Sequence, residues 1–459
     1  MKEYLAILRL VWPLALGMLN NAVLQFVDRA FLAKESMASI EAVLPASMLA
    51  LIVTGFFQSI VSYSGTFVAQ YHGAGDARGV AASYRAGKLL AVASGLLAAG
   101  LVPLGWEAFA LMTENAEVLG RSRAYYTIVS LGSMAVCGQA AAAAFFTGRS
   151  RTRLVFWVCL AGNLINIALD PVLIFGLFGV PRLGIGGAAA ATVFATLVQW
   201  VVLDGFARKD LRILDARAAL DARAAGSADA GVNAAHPFWP LVRRILRYGV
   251  PSGAYSVLNC LSFTVFVFVT GRVGDVAFAV SNACFSVNWL LIAPMEGFAI
   301  GAATLVGQAQ GRGDGAAARA ALRRTLVLAL AAVTALSLAT VVFHRPLRAM
   351  FAPTEAATAA EFHSLGFILI VLMAAWQIFD AADVVVAGAL KGAGDTKFVM
   401  WWMVAAAFGF WLPLVFAVRA FHNTMPALWA TMVAYVVVIC MGELLRWRRG
   451  AWEKIKVIG

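Results

Sequence analysis

Carboxyl and amide side chains stand inside stretches that are otherwise apolar, and their spacing is helical. Asp28 follows Asn21 by seven residues and Gln25 by three, while Asp170 follows Asn163 by seven and Asn166 by four. Those intervals stack side chains on one helix face. Glu296 stands alone in a third apolar run, and in a fourth Asp380 and Asp383 are three apart with Gln377 one turn earlier. Oxygen-rich groups of this kind suit either a bound sodium ion or a shared proton. Covalent chemistry has no comparable candidate. No nucleophile and base stand at a defined spacing, the only Gly-Lys pair, Gly87-Lys88, lacks the flanking residues of a phosphate-binding loop, and the five histidines fall at loops or helix ends, where solvation is expected. The chain is therefore read as a non-enzyme with no cofactor beyond a coupling H+ or Na+.

These side chains must be positioned by membrane helices. Hydrophobic residues make up 62% of the 459, charged residues 13%, and mean hydropathy is +0.82, against about 45–50% apolar and about 25% charged in soluble domains. A spanning helix needs about 20 apolar residues. Twelve windows qualify: 9–32, 42–70, 86–112, 124–147, 154–179, 185–206, 245–270, 276–308, 325–344, 363–389, 397–418 and 427–446. The first shows no small-residue cleavage site and reads as a retained helix. Acids at membrane depth are costly and mark functional positions by default. The five cysteines lie unpaired inside apolar runs and read as small lipid-compatible residues.

A net charge of +12 indicates membrane topology here, with no nucleic-acid partner. With the amino terminus inside, 27 of the 36 Lys and Arg fall on the cytoplasmic side, as the positive-inside rule requires. Both termini, the basic tail and the hydrophilic stretch 208–244 are then cytoplasmic, and a short amphipathic helix is expected over Leu211 to Leu220. The chain divides into a six-helix lobe 1–207, a linker 208–244 and a second six-helix lobe 245–459.

The lobes repeat in sequence. Thr66 to Asp76 aligns without gaps to Thr304 to Asp314 with six identities in eleven positions, and the same offset of 238 pairs Pro13 with Pro251 and Arg85 with Arg323. Later, an offset of 244 pairs Gly148 with Gly392, Thr152 with Thr396 and Trp157 with Trp401. Parallel repeats of this kind build transporters.

Each acid also has a plain structural reading. Asp28 precedes Arg29 and would serve as a snorkelled ion pair. Asp170 precedes Pro171 and would serve the backbone that proline frees. Asp383 would pair with a neighbouring helix.

Pro13, Asp28, Val68 to Asp76, Asn166 to Pro171 with Gly176, Gly186 to Thr192, Val306 to Asp314, and Asp380 followed by Gly388 to Thr396 together resemble the multidrug and toxic compound extrusion (MATE) transporters. The resemblance covers nearly the whole chain. It implies an all-α integral membrane protein, twelve transmembrane helices in two six-helix bundles forming a V-shaped cleft. It implies a cation site matching Asp28, Asn166 and Asp170, with Thr192 from the sixth span, which is where Na+ would sit. The acid of the tenth span matches Asp380. Two positions depart from the family pattern: Ala33 replaces a glycine, and Asn259 replaces the seventh-span glutamate of one branch. Gln25, Asn163, Asn259, Glu296, Asp380 and Asp383 are taken as residues lining the cleft or binding substrate.

The expected function is a cation-coupled (H+ or Na+) antiporter in the cytoplasmic (inner) membrane, exporting cationic or amphipathic organic compounds, and read as a monomer whose partners are lipid and small organic substrates. The alternative is a flippase for lipid or lipid-linked oligosaccharide. A diphosphate-binding flippase needs a strongly cationic cleft, and the membrane-depth charges here are mostly acidic.

Overall fold

The computed structural model describes residues 2–112, 115–224, 236–352 and 356–458, and all regular structure among them is helical. Lipid offers the backbone no hydrogen bonds, so a spanning segment must satisfy its own N–H and C=O groups. Among the described residues, ten helices are long and apolar enough to cross a membrane, and two bent pairs, each counted as one span, raise the number to twelve. This is the twelve-span pattern expected of the sequence.

The first half contains α1 (Lys2–Glu35), α2 (Met37–Ser62), α3 (Ser64–Gly73), α4 (Ala77–Gly100), α5 (Val102–Met112), α6 (Ala116–Leu131), α7 (Ser133–Gly148), α8 (Thr152–Phe175) and α9 (Ile185–Ala224). The second contains α10 (Phe238–Thr270), α11 (Asp275–Gly311), α12 (Gly315–Val342), α13 (His344–Phe351), α14 (Ala356–Ala393), α15 (Thr396–Val404), a π-helical stretch Ala405–Trp411, α16 (Leu412–His422) and α17 (Met425–Arg448). The pairs α4/α5 and α6/α7 each bend by 42°. Pro103 explains the first, because its nitrogen cannot donate into the helix. At the second, a Cβ on Gly132 would lie 2.3 Å from Val193, so glycine lets α9 pack against the break.

The chain forms two compact units. The amino unit is Asn20–Ser256 with Gly307–Asp314 and Lys456–Gly459; the carboxy unit is Met1–Leu19 with Val257–Val306 and Gly315–Ile455. Helices α1 and α10, which carry the paired Pro13 and Pro251, are each divided between the units.

The internal repeat is visible in the backbone. Asp76 N donates to Tyr71 O at 2.9 Å and Asp314 N to Ala309 O at 3.0 Å, and the glycine before each aspartate has positive φ, 76° at Gly75 and 71° at Gly313. At the other offset, Arg151 N donates to Phe146 O and Asp395 N to Leu390 O, at 2.8 and 2.9 Å. Ser150 and Gly394 hold the matching positive φ. Within the amino unit the repeated segments also cross. A Cβ on Gly73 would fall 2.0 Å from Gln308 O, and one on Gly311 would fall 1.9 Å from Gln70 O. Positions 73 and 311, like 70 and 308, are partners under the 238 offset, so the contact is reciprocal.

Helix ends differ from the sequence reading. The stretch expected as a linker is largely helix: α9 runs without a break through the expected amphipathic segment to Ala224, and α10 begins at Phe238. Residues 225–235 lie outside the described residues. The α9 extension is tied down by Asp204, Asp210 and Asp215, which pair with Lys88 and Arg208, with Arg149 and Arg151, and with Arg85. Charged side chains do not end a helix, so the membrane boundary and the helix boundary part company. Two histidines depart from the expected solvation, while His72 and His422 are exposed as expected. His236 Nε2 lies 2.6 Å from Asp76 Oδ2 and its ring packs 4.8 Å from that of Tyr71, while His344 Nδ1 lies 2.7 Å from an Arg348 nitrogen. All five cysteines are free thiols.

Candidate functional site

In the amino unit, α1 supplies Asp28, α8 supplies Asn163, Asn166 and Asp170, and α9 supplies Thr192. Close packing of α8 on α9 depends on glycine. A Cβ on Gly187 would sit 2.5 Å from Leu173 O, and one on Gly162 would sit 2.3 Å from the Gln199 side chain. Asp170 is fully buried, Asn166 is 1% exposed, and Asp28 is half-buried.

The carboxyls of Asp28 and Asp170 are in hydrogen-bonding range of each other, and Asp28 Oδ1 meets no donor among the described residues. Two ionised carboxylates are acceptors only. A proton or a cation between them resolves the contact. The Asn166 amide satisfies both neighbours when its nitrogen faces Asp170, 3.2 Å from each carboxylate oxygen, and its oxygen faces Thr192 Oγ1 at 3.1 Å. Tyr125 on α6 lies within electrostatic reach of both acids.

Asn163 takes a different part. Its Nδ2 donates to Asn21 Oδ1 at 2.9 Å and its Oδ1 accepts from Gln199 Nε2 at 3.0 Å, so it belongs to a packed polar chain joining α1, α8 and α9. Gln25 is exposed and makes no hydrogen bond among the described residues. Seven residues beyond Asp28, Glu35 accepts from Arg182 at 2.9 Å and from Arg121 at 3.1 Å. Arg121 precedes Tyr125 by one turn, so α6 meets α1 at both levels.

The carboxy unit holds the second set. Asp380 is half-buried, Glu296 is exposed, and the two interact electrostatically. Asp383 is only 6% exposed. Gln377 donates to Asn288 Oδ1 at 3.1 Å and accepts from Ser337 at 2.9 Å. Asn259 is exposed, and its carbonyl accepts from Ser262 at 2.9 Å.

The structure thus gathers Asp28, Asn166, Asp170 and Thr192 in one place and Asp380 with Glu296 in another. It leaves Gln25 and Asn259 outside these contacts. Sequence reasoning missed four residues. Tyr125 and Gln199 read as ordinary polar residues of apolar helices. Lys391 stands at a helix end in the sequence, where a charge ordinarily reaches water, yet it lies among Glu296, Asp383 and Glu443. Glu443 was masked by the basic helix end at Arg446 and Arg448, although it is fully buried.

Known proteins resemble this one along nearly its whole length. The probable multidrug resistance protein NorM of Bradyrhizobium diazoefficiens is 27% identical over 433 residues, covering 93% of this chain and 88% of that protein. The multidrug resistance protein NorM of Burkholderia vietnamiensis is 29% identical over 452 residues, covering 96% and 92%. Among solved structures, a MATE crystal structure in complex with MaL6 superposes with a TM-score of 0.82 at 18% identity, covering 98% of this chain and 97% of that one. An outward-facing multidrug resistance MATE family transporter superposes with a TM-score of 0.80 at 17% identity. The MatE family profile matches residues 13–172 and 251–418, most of both halves; with the duplicated twelve-span fold, this shows that the chain is a multi-pass membrane protein belonging to the MatE family.

Proposed function

We propose that this protein is an efflux antiporter that exchanges a cation, H+ or Na+, for cytoplasmic organic compounds by alternating access. The observation that carries the reading is the Asp28–Asp170 carboxyl pair, closed over by Asn166 and Thr192 inside the amino unit. The relatives named multidrug resistance proteins support the substrate class, organic drugs. An acid pair in a low-dielectric setting changes its hold on a cation when its exposure changes, which couples binding to conformation. A single proton shared between the two carboxyls already satisfies their contact. Uptake of a panel of dyes and antibiotics into inverted vesicles is the test: an imposed pH gradient alone should drive it, and dependence on a sodium gradient alone would assign the site to Na+.

We place the protein in the inner membrane with both termini cytoplasmic, on the strength of the lysine and arginine bias. Ser227→Cys in a cysteine-free background should be labelled by an impermeant reagent only after the cells are opened. Labelling of intact cells would invert the topology.

A further inference from the structure

The carboxy unit contains a buried charge cluster that the proposed exchange does not use. Asp383 lies on α14 and Glu443 on α17, 6% and 0% exposed. Their carboxyls are within hydrogen-bonding range of one another, yet Asp383 Oδ1 and both Glu443 oxygens meet no donor among the described residues. The charged groups facing them are Lys391 and Asp380 on α14, with Glu296 of α11 acting on both Lys391 and Asp380. Tyr435 and Cys440 of α17 complete the titratable surroundings. Of these carboxyls only Asp383 and Glu443 are buried, since Asp380 is half-buried and Glu296 exposed, and one ammonium, Lys391, faces the buried pair. Ionised together the two would leave one negative charge uncompensated, and buried charge without a partner is strongly unfavourable.

The repeat shows that packing does not require this chemistry. Under the 244 offset, Asp383 corresponds to Gln139 and Lys391 to Thr147. Gln139 fills its place as a neutral amide with a contact to Cys159 Sγ at 3.3 Å. The same helical position thus serves the fold without charge in the first half.

We propose that Asp383 and Glu443 share a single exchangeable proton, forming an ion-binding site in the carboxy unit distinct from Asp28–Asp170 and from Asp380. One carboxyl donates O–H to the other, and Lys391 balances the remaining negative charge. The acid–carboxylate bond supplies the donor that the buried oxygens otherwise lack. The pair takes up a proton from water and returns it to water, with no other bond changed.

The experiment is infrared spectroscopy of the full chain in lipid nanodiscs, following the protonated-carboxyl C=O band as pH is raised. The background is Asp28→Asn with Asp170→Asn, so the result does not depend on the amino-unit site or on transport. A deuterium-sensitive band that titrates away should persist in that background. Asp383→Asn and Glu443→Gln should each remove one protonated carboxyl per chain, and Glu443→Asp should keep it. A band unchanged by both neutral substitutions would show a permanently ionised pair held by Lys391 and would overturn the proposal. The size-exclusion profile of Glu443→Asp separates misfolding from loss of the proton.

Discussion

Asp170→Asn is expected to reduce gradient-driven export to the level of protein-free vesicles while leaving the protein folded in the membrane. Asp170 is fully buried, faces Asp28, and receives the Asn166 amide. The substitution preserves side-chain shape and removes only the ionisable group. A residue serving the backbone near Pro171 could be replaced this way with little functional loss, because an amide oxygen still accepts hydrogen bonds. Asp28→Asn should behave alike, since each acid needs the other to hold the ion. The check is substrate uptake under one imposed gradient, with monodispersity in detergent as the folding control. Wild-type uptake by either variant would make that residue structural.

The second large effect concerns stability. Gly73→Ala and Gly311→Ala should each destabilise the protein by about 1–3 kcal/mol, the usual range for overpacking. The added Cβ would meet the backbone oxygens of Gln308 and Gln70 at 2.0 and 1.9 Å, and a backbone cannot rotate away as a side chain does. Because the contact is reciprocal under the repeat, the two substitutions should lower the thermal midpoint by similar amounts. Gly120→Ala is the matched control. Its Cβ would meet nothing within 4 Å, so helix propensity alone should make it neutral or stabilising by up to about 1 kcal/mol. Equal thermal midpoints for Gly311→Ala and Gly120→Ala would remove the close crossing from the account.

The spans were legible because lipid imposes a length and an apolar composition on every crossing helix. Their ends were not, because water tolerates helix as readily as loop: α9 continues to Ala224 on a row of carboxylates that find arginine and lysine partners. The amino-unit acids were legible from their spacing with asparagine on α1 and α8. That spacing could not separate Asn163, which is bonded into a structural chain, from Asn166, which reaches Asp170. Both lie on the same helix face one turn apart, and only the neighbours on α9 distinguish them. Glu443 and Lys391 escaped notice for the opposite reason. Each lies close to a basic helix end, where a charge normally reaches water, and only the packing of α14 against α17 turns these two inward.

Reciprocity offers the most direct measurement of the central claim, because an antiporter that couples cation to drug must let either gradient drive the other. Purified protein would be reconstituted into liposomes loaded with a transported dye and suspended in dye-free buffer, with no cation gradient and the membrane potential clamped. Dye leaving through the protein should pull H+, or Na+ if sodium is the coupling ion, into the lumen in fixed proportion to the dye lost, and Asp170→Asn should abolish both fluxes together. Dye efflux without a matching cation influx, or cation influx unaffected by Asp170→Asn, would contradict coupling through the Asp28–Asp170 pair.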